Sequence, residues 1–188
     1  METLSVLLLG LATWVSPQAK PAPPAPAPPT MLSTDSAKDS ATDPYAALRL
    51  LNGTWDLLRA KGDRTTDPVR LVNECAQAGE FFACNQVVNG KNTALVIFLP
   101  SHPLENGGYA YRNQALRVEG ENSGAWGSLE IVGQRWVYSS DETDKGKKIY
   151  WRTINIFTGS DKIHFEVQRS EDGANWTTNM SGDEARAR

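Results

Sequence analysis

Chemistry-bearing side chains are scarce in this chain. It holds two His and two Cys in 188 residues. A metal centre draws on clusters of such ligands, and a nucleophile needs a base oriented beside it. Ser101 and His102 are adjacent, and adjacent residues rarely orient as such a pair. The run Asp141-Glu142-Thr143-Asp144 lacks the spacing of a calcium loop. Lys145-Gly146-Lys147-Lys148 follows at once, which reads as a solvated hairpin tip. No metal, cofactor or catalytic residue is therefore expected, and an enzyme is the least favoured of the readings left open below. An excess of basic charge is also missing. Nineteen Lys and Arg face 22 Asp and Glu, for a net charge of -3, which excludes the basic face of a nucleic-acid binder.

A membrane-length apolar run is missing too. Leu4–Val15 is apolar but short of the ~20 residues a span needs, so no stable membrane insertion is expected. It fits the central region of a secretory signal cleaved after Ala19, although Glu2 precedes it without any Lys or Arg. No Cys stands near the cut, which excludes a lipid anchor. Residues 1–19 are read as a signal peptide, and the destination as secreted or periplasmic. Lys20–Pro29 is mostly Pro and Ala, and Pro removes the N–H that helix and sheet require. Residues 20–42 are read as an extended, disordered linker. The folded domain is 43–188.

What is abundant is glycine at turn positions. Asp43-Pro44 opens a short helix over Tyr45–Leu51, which Asn52-Gly53 ends. Beyond it, Gly followed by one residue, or Asp-Gly, marks two-residue hairpins. Gly79-Glu80 sets Cys75 opposite Cys84 on a closely spaced cross-strand pair, which predicts a disulfide, with free thiols as the alternative. Such a bond fits an oxidising compartment. Gly133-Gln134 sets Leu129 opposite Tyr138 and Ile131 opposite Trp136. Gly159-Ser160 sets Ile154 opposite Phe165 and Arg152 opposite Val167. Asp172-Gly173 sets Arg169 opposite Trp176 and Phe165 opposite Met180. These turns give one shared apolar side, and a one-residue slip would invert it. Pro68–Gln77, Phe81–Val88, Thr93–Leu99 and Tyr109–Val118 supply the other strands, with Pro100–Gly108 a loop over the mouth. The reading is an all-β, antiparallel up-and-down barrel of about 8–10 strands with a short N-terminal helix.

The Gly53-Thr54-Trp55 opening, the helix before it, the leader and the hairpin series resemble the lipocalin-like (calycin) superfamily, and within it small uncharacterised bacterial secreted proteins. The resemblance covers Asp43 to about Met180. It implies that Trp55 closes one end of the barrel under an Arg from a late strand. Arg169, flanked by Tyr150 and Trp176, is the residue matched to that Arg. The family's Thr-Asp-Tyr stretch is absent, so transport of a particular ligand does not carry over. The superfamily also holds haem barrels with a late-strand His. His164 falls on the polar face with Asn155 and Glu166, so haem is not expected.

Arg152 carries the functional reading. On the side taken as inward, it would anchor an anionic ligand between the apolar walls of Trp136, Tyr138 and Tyr111. The bland alternative puts Arg152 at the rim, reaching water. Three functions stay open. The first is a barrel binding a small apolar or anionic molecule, and the second a filled structural or interaction module. The third is a barrel enzyme, which an interior acid of strongly shifted pKa would signal. Nothing in the sequence addresses oligomeric state.

Overall fold

The computed structural model describes residues 43–61, 69–120 and 126–187. The signal peptide and linker readings, residues 1–42, lie outside them. Ten strands follow a 3-10 helix at Leu48–Leu51. They are β1 Gly53–Lys61, β2 Val69–Ala78, β3 Phe81–Val88, β4 Lys91–Pro103, β5 Tyr109–Arg117, β6 Gly127–Val132, β7 Arg135–Asp144, β8 Lys147–Phe157, β9 Lys162–Ser170 and β10 Thr177–Arg186. Each pairs antiparallel with its sequence neighbours, and β1 pairs with β10, so the barrel is closed. Closure leaves no free strand edge.

Alternation with period two decides what fills it. Trp55, Leu71, Phe82, Val96, Phe98, Tyr111, Leu129, Ile131, Trp136, Tyr138, Phe157 and Ile163 form one buried apolar cluster. Ile149, Trp151, Phe165 and Val167 form a second, smaller one. On β8 the two clusters are separated by buried Thr153 and Asn155.

Two hairpins have the expected register. Cys75 opposes Cys84 with Cα atoms 4.0 Å apart and the two sulfurs bonded. Leu129 opposes Tyr138, and Ile131 opposes Trp136. The last two hairpins differ. Around Gly159 the strands pair Thr153 with Val167 and Asn155 with Phe165. The loop there holds three residues instead of two, and Thr158 donates its N–H to the Lys162 carbonyl. One added residue inverts the inward face of β8. Trp151, Thr153 and Asn155 therefore point in, and Arg152 and Ile154 point out, with Ile156 42% exposed.

The β9–β10 connection is longer as well. The Asp172 carboxylate accepts the N–H groups of Ala174 and Asn175, an Asx-type turn that absorbs extra residues. Arg169 then opposes Thr177, and after a bulge Val167 opposes Met180 and Phe165 opposes Gly182. Trp176 consequently sits on the outside. Pro100–Pro103 extends β4 instead of forming a loop, and the reversal is confined to residues 104–108.

The expected helix over Tyr45–Leu51 shrinks to one 3-10 turn with no side-chain cap. Its last carbonyls are captured by tertiary donors. The Trp55 indole N–H and Asn73 both donate to Leu51, and Arg186 donates to Leu50. This segment lies across one end of the barrel. It is tied to the wall through the Tyr111 hydroxyl on β5, which donates to Pro44, and through Tyr45, which donates to Glu80 and stacks on Phe82 of β3.

Candidate functional site

The end beneath this segment is a sealed floor. Trp55 is 1% exposed and packs edge-on against Phe157, which in turn packs on Trp136 with ring centroids 4.5 Å apart. A late-strand Arg does cover Trp55, and it is Arg186: its guanidinium lies 4.3 Å from the ring centroid. It also donates to the carbonyls of Leu50, Asn52 and Ser160. Gly53 is required here. Its φ is +124°, and a Cβ would overlap the Arg186 guanidinium. Arg169 lies at the other rim, paired with Glu171 at 2.9 Å. Trp176 packs on the outer face under Arg152, 4.1 Å from guanidinium to ring centroid.

Arg152 is therefore corrected from lumen anchor to outer-wall residue. Besides Trp176 it bonds the Gln168 side chain, and partial burial lowers its pKa. The other residues read as ligand-facing are inside. Trp136, Tyr138 and Tyr111 are each at most 5% exposed. Tyr111 spends its hydroxyl on Pro44.

Three interior polar residues escaped sequence reasoning. Asn113 is fully buried and faces inward between Phe98 and Gly127. Asn155 is 2% exposed, between Trp136 and Phe165. Glu184 is 3% exposed, between Leu57 and Ile163. Among the described residues, both amide atoms of Asn113, Asn155 Oδ1 and Glu184 Oε1 have no hydrogen-bond partner. Native interiors pair nearly all such groups, so these unpaired atoms call for an explanation.

Burial also changes the acid chemistry. It pushes the Glu184 carboxyl up to about 7, because no partner offsets the loss of water around its anion. Tyr138 is shifted upward by burial first and by the Glu184 charge second, which keeps its hydroxyl protonated. Strands β8 and β9 separate β7 from β10 along the wall. The two groups therefore sense each other across the interior.

Glu184 escaped notice because Gly182-Asp183-Glu184-Ala185-Arg186 reads as a solvated tail. The usable signal was the period-two alternation of Gly182, Glu184 and Arg186. His164, on the outer face, pairs with Asp183 at 2.8 Å. No group of metal-binding side chains occurs among the described residues. None of their helices is long and apolar enough to cross a membrane.

Fold and site together define a closed ten-stranded antiparallel barrel with a sealed floor and a partly polar interior. Compared with known proteins, no family model matches the chain, and no curated protein does. Among solved structures it is similar to the crystal structure of Rv2717c from M. tuberculosis. The identity is 16% and the TM-score 0.38, over 77% of this chain and 98% of that one.

Proposed function

We propose that the barrel binds a small, largely apolar molecule in its interior. The observation that carries this is the set of buried, unpartnered polar atoms on Asn113, Asn155 and Glu184. Leaving such atoms unpaired costs ~1–3 kcal/mol each. A ligand offering complementary groups recovers that cost, in the way that pockets use a few placed polar groups on apolar walls. Trp136 and Tyr138 supply those walls. A lipocalin-like container is the closest description, supported by Trp55 lying under late-strand Arg186. Export to the periplasm or the outside is part of the proposal, supported by the Cys75–Cys84 bond and the leader pattern.

The test uses the neutral fluorophore N-phenyl-1-naphthylamine on the full chain. Saturable one-to-one binding is expected, lost in Thr153→Phe, which fills the interior, while far-ultraviolet dichroism is unchanged. Failure to bind, or equal binding by the filled variant, rejects the proposal and leaves a packed structural barrel.

A second reading is favoured by Glu184 alone. An interior acid titrating at about 7 is suited to proton transfer at neutral pH. A barrel enzyme built on it would lose turnover in Glu184→Gln, with the pH dependence of turnover near 7 lost as well.

A further inference from the structure

The interior polar atoms are unequal in kind. Three of the four unpartnered atoms are acceptor oxygens: Asn113 Oδ1, Asn155 Oδ1 and Glu184 Oε1. One is a donor, Asn113 Nδ2. The cations are elsewhere. Arg152 is outside with Trp176 and Gln168. Arg186 is spent on three carbonyls and the Trp55 face. An anionic ligand would meet carbonyl-type oxygens and a carboxyl group, with no cation among the described buried side chains. A ligand rich in donors would meet acceptors on β5, β8 and β10, and aromatic rings on β7.

We infer that the interior selects a molecule carrying a primary amine on an apolar body, with the amine held by Glu184 and the Asn155 oxygen, whose strands β10 and β8 lie two apart in the wall. This rests on the proposal that the lumen binds a ligand, and it reverses the anionic preference expected when Arg152 was placed inside. An ammonium group has three donors and no acceptor, so it can serve the Glu184 and Asn155 oxygens together. Its charge is also favoured by a carboxylate partner and by the face of Trp136 or Tyr138. The elevated pKa of Glu184 fits, because an anion left unpaired in this interior is what burial penalises.

Octylamine, octanol and octanoate share one apolar body and differ in the head group. Each is titrated against bound N-phenyl-1-naphthylamine on the full chain and on Glu184→Gln. The expected order is amine, alcohol, carboxylate, with the amine roughly tenfold or more tighter than the carboxylate. Glu184→Gln should remove most of that preference and leave octanol within about threefold. Asn155→Leu provides a second variant in which the amine should weaken more than the alcohol. Octanoate leading, no displacement by octylamine, or an amine preference that survives in Glu184→Gln overturns the inference while probe binding still upholds the lumen. Absence of probe binding in the wild type rejects the lumen proposal itself.

Discussion

The floor of the barrel and its interior follow opposite rules. At the floor every strong polar group is used. The Trp55 indole, Asn73, Gln86 and Arg186 all donate, and Asn52 Oδ1 accepts from the Cys75 N–H. A few ångströms of chain further along the same strands, Asn113, Asn155 and Glu184 are as deeply buried and leave atoms unpaired. Satisfied buried networks add rigidity, whereas unpaired ones lower stability. The difference teaches that depth of burial alone does not mark a structural residue; the partner account does. The floor is built to hold the fold, and the interior retains groups that the fold by itself does not need.

The largest test strikes the floor. Trp55→Ala removes the ring clamped between Phe157 and Arg186, and should cost about 3–5 kcal/mol in denaturant unfolding. A loss well under that range would show that the floor does not carry the stability assigned to it.

The next strikes the interior through pH. The unfolded chain releases the Glu184 proton near 4.5, and burial moves that release up to about 7 in the folded one. Between these values the folded state holds more protons, so stability falls as pH rises through the window and is flat above it. The expected loss is on the order of 3 kcal/mol, absent in Glu184→Gln. Arg186, two residues along the strand, and Tyr138, across the interior, are the charged or titratable groups described on its side of the wall. Denaturation midpoints from pH 4 to 8 decide it, and parallel wild-type and variant curves would remove Glu184 from the account.

The smallest sets the two regions directly against each other. Asn73→Leu breaks paired bonds to Leu51 and Gln86, and should lose about 1–2 kcal/mol. Asn113→Leu removes only unpaired atoms and should be neutral or stabilising by a similar amount. Equal losses in both variants would erase the distinction.

The same contrast explains what was legible in the sequence. Where a hairpin turns on two residues led by Gly79 or Gly133, counting outward gives the true register, and with it the disulfide and the inward Trp136 and Tyr138. The Gly159–Asp161 reversal has the same glycine but one residue more, and that single residue exchanged Arg152 for Thr153 and Ile154 for Asn155 on the inner wall. Loop length is set by how β8 and β9 settle in the closed cylinder, not by the glycine. Strand β10 has few apolar residues and a bulge at its start, so neither Arg186 nor Glu184 stands out by hydrophobic alternation. The site was hidden because its residues are polar, and their burial exists only once ten strands close.

The short Pro44–Leu51 segment, strapped from the Tyr111 wall to Arg186, leaves the vessel stopped at one pole. On the binding role proposed above, a ligand would enter and leave by the opposite rim. Narrowing that rim would slow loading and unloading by one common factor, so residence time could be tuned there without changing the equilibrium affinity.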